Sequence, residues 1–184
     1  MSIGVGILGF AHGHVNAYCT QWTQNPSYDI QVAAGWDHDA ARLAAAGQSF
    51  GFTSCASVEE LLSRPDVQAV VIASETSLHA DLVEKAAAAG KMIAVQKPLA
   101  LNLAQADRIV AAVKRTGVPF TLAWQMRTDP QNIKIKEIIQ SGQLGKIFMV
   151  RRRHGRFFNQ VGVQGSLRGN HYRLPIRARE QFIH

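Results

Sequence analysis

Residues 4–14 read GVGILGFAHGH, and two overlapping glycine patterns compete for the same turn. Gly4, Gly6 and Gly9 match G-x-G-x-x-G to the letter, the spacing with which a strand–turn–helix unit cradles a dinucleotide pyrophosphate. The match fails on context. Such glycines must sit between a strand and a helix, so that backbone N–H groups at the helix start face the phosphates. Val5, Ile7 and Leu8 instead mark Ile3 to Leu8 as a strand. Shifted to GFAHGH, the pattern works: Gly9 makes the tight turn, Ala11 stands where a pyrophosphate approaches closest, and His14 takes the third place. Gly9, Phe10, Ala11, His12 and His14 are therefore the candidate phosphate turn.

Working outward from this turn, short apolar or β-branched runs alternate with helical patterns bounded by caps and glycines, the signature of βαβ units. A helix follows to about Thr23. A second strand, Ile30 to Trp36, ends at Asp37 and is followed by the helix DAARLAAAG. Ser57 caps a short helix, VEELLS. The run AVVIAS (69–74) is too apolar for a strand with one wet face and reads as a central parallel strand. Thr76 or Ser77 is expected to cap a helix to Ala89, with Leu78, Leu82, Val83 and Ala86 on one stripe and Gly90 past its end. MIAVQ is another buried strand. Asn102 caps a helix that carries Lys114 and Arg115 late, where the dipole favours them, and Gly117 stops it. PFTLAW (119–124) is counted as the sixth strand. The expectation is a doubly wound parallel sheet of the Rossmann kind, whose ligands bind at the carboxyl ends of the strands.

Asp37 follows Gly9 by 28 residues, at the end of the second strand, where an acidic side chain accepts hydrogen bonds from an adenosine ribose. Its charge would repel a 2′-phosphate, which favours NAD over NADP. The alternative is that Asp37, like Asp39, caps the following helix. His12 and His14, two apart on a loop, have the makings of a metal pair, but no third ligand is identifiable and no metal is expected.

The segment from residue 71 to 106, VIASETSLHADLVEKAAAAGKMIAVQKPLALNLAQA, resembles the Gfo/Idh/MocA family of dehydrogenases. That family carries a loop like A-T-P-x-x-x-H after the fourth strand and Glu-Lys-Pro after the fifth. This chain has Ala73-Ser74-Glu75-Thr76-Ser77-Leu78-His79 and Gln96-Lys97-Pro98, in the family's order with the loose G-x-A-x-x-H opening and Asp37. The resemblance covers residues 1 to about 155. It implies an NAD(P)-dependent oxidoreductase that moves a hydride between the nicotinamide and a carbinol carbon of a sugar, polyol or related small molecule. Lys97 would be the catalytic residue, a cation that stabilises developing alkoxide and helps relay its proton. Ser74, Glu75, Thr76, His79, Gln96, Lys97 and Pro98 join the cofactor-binding set. Trp124, Gln125 and Arg127 end the sixth strand, and of these Gln125 is counted with that set. Two departures stand out. Gln96 replaces the family's Glu and removes a negative charge beside Lys97, and Glu75 replaces its Pro.

Domain organisation is expected as residues 1–127 for the dinucleotide-binding domain and 128–155 for the start of an α+β second domain, where Pro130 opens the helix NIKIKEIIQSG and KIFMVRRR begins a strand. Residues 156–184 are read as an atypical Arg-rich tail. The family's second domain supplies the substrate pocket and most oligomer contacts, so it is expected to be incomplete here, and a homo-oligomer is doubtful for this chain. The net charge of +7 divides unevenly: residues 1–150 hold twelve basic and twelve acidic side chains, whereas residues 151–184 hold eight Arg and one Glu. With Lys absent and Arg abundant, the tail is expected to come from a truncated gene or altered reading frame. A minority reading gives its Arg residues, with Phe157, Phe158 and Tyr172, a nucleic acid. No apolar run reaches the roughly 20 residues that span a bilayer, so a cytoplasmic protein with no membrane partner is expected. Cys19 and Cys55 are read as free thiols.

Overall fold

In the computed structural model, which describes residues 2–151, six parallel strands form one sheet in the order β3-β2-β1-β4-β5-β6. The strands are β1 (Ile3–Leu8), β2 (Ile30–Trp36), β3 (Thr53–Ser54), β4 (Ala69–Ile72), β5 (Met92–Gln96) and β6 (Phe120–Ala123). Helices α1 (His14–Gln24), α2 (Ala40–Phe50), α3 (Val58–Ser63), α4 (His79–Ala88), α5 (Leu103–Thr116) and α6 (Pro130–Gln140) follow in chain order. The order reverses at β1. The second crossover departs to one side and the third to the other, which opens a crevice at the carboxyl ends of β1 and β4.

Two apolar layers cover the sheet. Val5 and Ile7 pack with Val15 and Cys19 of α1 and Ala46 of α2. Leu8, Val70 and Ile72 pack with Leu61 of α3, Leu82 and Val83 of α4, and Ile109 of α5. Neighbouring residues of β1 thus serve opposite layers, the period-2 alternation of a strand buried on both faces. Gly6 is dictated by this packing: a Cβ there would lie 2.6 Å from Leu61 Cδ2. Gly4 and Gly6 lie within β1, as their context indicated, and Gly9 lies beyond its end.

Most element ends match their sequence signals. Asn102 accepts from the amide of Gln105, Ser57 from that of Glu60, and Gly117 ends α5 at φ 68°. Two expectations need correction. Thr76 and Ser77 do not cap α4; they lie in a 3-10 turn, Thr76–Leu78, and α4 starts at His79 with no side-chain cap. The 3-10 turn already bonds the Leu78 amide to the Glu75 carbonyl, so neither hydroxyl is placed for the first α-helical amides. The strand expected from Lys146 is not formed: among the described residues, 146–151 pair with no other strand. An extended segment becomes a strand only through a ladder partner.

The chain divides into two units, the first ending at Gln140 and the second beginning at Ser141. In the second, Gly142 and Gly145 at positive φ close a turn in which the Gly145 amide donates to the Gly142 carbonyl at 2.9 Å. The Arg-rich tail, with His171 and His184, lies outside the described residues. Among the described residues no helix is long and apolar enough to cross a membrane, and no group of three or more His, Cys, Asp or Glu could hold a metal.

Candidate functional site

The turn after β1 is fixed from both sides. The Gly9 amide donates to the Trp36 carbonyl at the end of β2 (2.7 Å), and the His12 amide to the Ala73 carbonyl at the end of β4 (3.0 Å). Gly9 sits at φ 91°, where a Cβ would lie 2.6 Å from the Ser74 nitrogen. Only glycine fits there, because both the dihedral and the space exclude a side chain. Beyond the turn, α1 begins with no side-chain cap and no acidic residue in its first turn, and a Cβ at Gly13 would meet nothing within 4 Å. Two amides at this start are already engaged, that of His14 with His12 Nδ1 (3.4 Å) and that of Val15 with the His12 carbonyl (3.0 Å); the remaining first-turn N–H groups and the positive end of the helix dipole suit a pyrophosphate.

Next along the sheet, the loop after β4 carries Ser74, Glu75 and Thr76, and β5 ends at Gln96 with Lys97 and Pro98 beyond it, joined by a cis peptide bond. His79 holds the two segments together. Its ring is 1% exposed; Nδ1 lies 3.1 and 3.2 Å from the carbonyls of Pro98 and Leu99, and Nε2 lies 3.3 Å from the carbonyl of Ser74. The sequence places His79 among cofactor contacts. In the structure it is a buried strut between the loop after β4 and the Lys97-Pro98 segment. Gln96 is buried too, its amide donating to the Tyr18 hydroxyl at 2.6 Å.

Lys97 is partly exposed and has no ion-pair partner among the described residues. Its charge is felt at His12: burial first, then Lys97, His14 and His79, hold the His12 imidazole below its ordinary pKa. The two histidine rings of the turn meet edge to face with centroids 4.7 Å apart. Gln125 is exposed in a short 3-10 helix after β6, at the far end of the same row of strand ends.

Asp37 is the residue whose surroundings the sequence could not show. Its side chain is wholly buried. Oδ2 accepts from the Phe10 amide (2.7 Å) and Arg42 Nε (2.9 Å), and Oδ1 accepts from the Asp39 amide (2.8 Å) and Arg42 Nη2 (2.8 Å). Four donors fill the four lone-pair sites of a carboxylate. Burial alone would raise the Asp37 pKa; the Arg42 hydrogen bonds and the two amides outweigh it, and the carboxyl titrates below its usual range. Arg42 is held above its ordinary value, chiefly by Asp37 and then by Glu75. Arg42 Nη2 also reaches Glu75 Oε1 at 2.9 Å, and His38 Nδ1 lies 3.5 Å from Asp37 and 3.6 Å from Glu75. Asp39, by contrast, is the cap of α2, accepting from the amides of Ala41 and Arg42. Arg42, His38 and Tyr18 were not singled out by sequence, since their partners lie at separations that follow no helical or strand period.

Residues 3–123 match the oxidoreductase family with an NAD-binding Rossmann fold. The chain is 36% identical over 158 residues to an inositol 2-dehydrogenase of Gluconacetobacter diazotrophicus, covering 84% of this chain and 46% of that one. It is 28% identical over 185 residues to the inositol 2-dehydrogenase of Salmonella typhimurium, covering 99% of this chain and 50% of that one. The second alignment runs through residues 156–184, so the likeness does not stop near residue 155 as the sequence reading had it. A scyllo-inositol dehydrogenase of Lactobacillus casei, solved with NAD(H) and scyllo-inositol, shares the fold at a TM-score of 0.71 and 21% identity, over 79% of this chain and 43% of that one. The chain spans about half the length of the curated relatives it matches. With the family profile matched across the whole sheet, from β1 to β6, the chain belongs to the Gfo/Idh/MocA family of NAD-binding oxidoreductases.

Proposed function

We propose that this chain carries the cofactor half of an NAD-dependent oxidoreductase acting on a sugar, polyol or related small hydroxy compound. One observation carries the reading: the uncapped α1 start, the Ser74–Thr76 loop and Lys97 stand at the carboxyl ends of three adjacent strands, β1, β4 and β5. When bound, a nicotinamide dinucleotide supplies the hydride acceptor or donor. The residues would divide the work as follows. The backbone of Gly9–His14 would hold the pyrophosphate, with Gly9 keeping the turn close to Ser74. Glu75 and Thr76 would border the dinucleotide, while Ser74, 3% exposed with its hydroxyl donating to the Glu75 carbonyl, joins His79 and Gln96 in holding the walls from below. Lys97, placed with no competing carboxylate, would stabilise negative charge on a reacting hydroxyl oxygen and pass its proton. A neutral His12 nearby would hydrogen-bond without adding charge. The relatives' inositol dehydrogenase names support a polyol substrate. We place the protein in the cytoplasm, where the dinucleotide pool is.

A second reading is carried beside the first. It is NAD binding without turnover. Titration of the full 184-residue chain with NADH, followed by assays over a polyol and sugar panel with NAD, separates the two. Binding with turnover that is lost in Lys97→Met supports the first, and binding without turnover supports the second. Absence of NADH binding overturns both.

A further inference from the structure

The pair Arg42–Glu75 joins loops that follow β2 and β4, and those strands are not neighbours. β1 lies between them, so the pair reaches over two strand spacings, roughly 10 Å, across the strand whose turn would receive the pyrophosphate. Asp37, expected to face the ribose, is buried with its lone pairs occupied. The polar side chains that meet solvent at this corner include Arg42, Glu75 and His38, 30%, 39% and 49% exposed.

Arg42 is oriented from one side and occupied from the other. Asp37 grips Nε and one N–H of Nη2, fixing the guanidinium plane. Glu75 takes a second donor direction of Nη2. A guanidinium fixed by one carboxylate and left open on its other edge is well suited to a phosphate monoester. Arg42 also borders a cavity of about 260 Å³ lined by Phe10, Asn16 and Ser49, which offers polar groups and room for an anion. Against this, Asp37, Asp39 and Glu75 leave the corner negative despite Arg42.

We propose that Glu75 sets a preference for NAD over NADP, by occupying the donor edge of Arg42 that would otherwise meet a 2′-phosphate and by adding a like charge beside it. The idea rests on the cofactor reading above and names the residues that decide selectivity within it. Specificity here comes from an element that repels the competitor as much as from contacts to the preferred ligand.

The test is fluorescence titration of the 184-residue chain with NADH and with NADPH. Wild type should bind NADH more tightly. Glu75→Gln keeps the side-chain shape and removes the charge, and should shift the ratio of dissociation constants about tenfold toward NADPH, mostly by tightening NADPH, as expected for one freed charge-assisted contact at a half-exposed site. Adding Arg42→Gln should abolish that gain. Failure of wild type to bind either dinucleotide would overturn the cofactor reading and this inference with it. Binding of both with a ratio unmoved by Glu75→Gln, or with both constants weakened in parallel, would overturn the inference alone. A gain that survives Arg42→Gln would also overturn it, since the effect would not run through Arg42.

Discussion

Asp37→Ala should destabilise the protein with no cofactor present. The substitution deletes four hydrogen-bond acceptor contacts from a side chain that is wholly buried. The Phe10 amide belongs to a residue only 7% exposed; leaving it without an acceptor costs about 1–3 kcal/mol. The Asp39 amide lies at the surface, where water replaces most of what is lost. Arg42 is a smaller loss than a fully buried cation, for which about 3–5 kcal/mol is typical, because it is 30% exposed and keeps Glu75. Together these give about 2–4 kcal/mol, or a fall of about 1–2 M in the urea midpoint for ordinary slopes. The acid limb gives a second reading. The Asp37 carboxyl titrates below its unfolded value of about 3.9, so its stabilisation is fully present above that pH and is lost as pH falls through the lower folded value. Asp37→Asn should therefore flatten the loss of stability below about pH 4. Urea unfolding of the cofactor-free protein at pH 7 and at pH 3 measures both. A variant as stable as wild type at pH 7 would refute the claim that Asp37 is a strut, and would return it to the role of a free ribose acceptor.

Three further outcomes follow. Gly9→Ala forces a Cβ at φ 91° toward Ser74 and should cost about 2–4 kcal/mol from strain and overpacking; differential scanning calorimetry checks it, and a change under 1 kcal/mol would count against the turn as built. His12 should titrate below about 6.5 by proton NMR, because burial and then Lys97 disfavour its charged form; stability should decline as pH falls from the unfolded value toward the lower folded one, and Lys97→Met should move the His12 titration upward. The Cys19 thiol, buried and pushed up to about 11, should resist alkylation in the native protein at pH 8, and modification as fast as in the unfolded chain would contradict its burial.

Elements with a local cause were legible in the sequence. Asn102, Ser57 and Gly117 act where the chain itself announces them, because a cap bonds to amides two or three residues away. β3 has two residues, Thr53 and Ser54, too few for any period, and it forms because β2 offers it an edge at Ala34 and Gly35. Thr76 and Ser77 looked like caps because hydroxyls before an apolar stripe usually are; the 3-10 turn consumed the geometry that capping needs. The turn GFAHGH and the strand end at Lys97 were legible from strand context and resemblance together. What Asp37, Arg42 and Glu75 do to one another was not. Arg42 stands five residues after Asp37, across a loop and a helix start, and Glu75 stands on another crossover, so their meeting is a product of the sheet order and leaves no mark in spacing.

That meeting also separates two kinds of motif residue within this one chain. Asp37, His79 and Gln96 sit in the positions a sequence reader assigns to the cofactor, yet each is under 6% exposed and already bonded to protein. Ala11, Glu75, Thr76 and Lys97 reach the surface of the crevice. Substitutions in the first group act on the folding equilibrium before any ligand arrives, so weaker NADH binding in an Asp37 variant has two causes that binding data alone do not separate. The second group carries less of that burden, with Glu75 alone among them in an ion pair, to Arg42. Selectivity and chemistry are therefore best tested at Glu75 and Lys97, with stability measured first wherever Gly9, Asp37, His79 or Gln96 is changed, because there a loss of binding first has to be distinguished from a loss of the fold that presents the site.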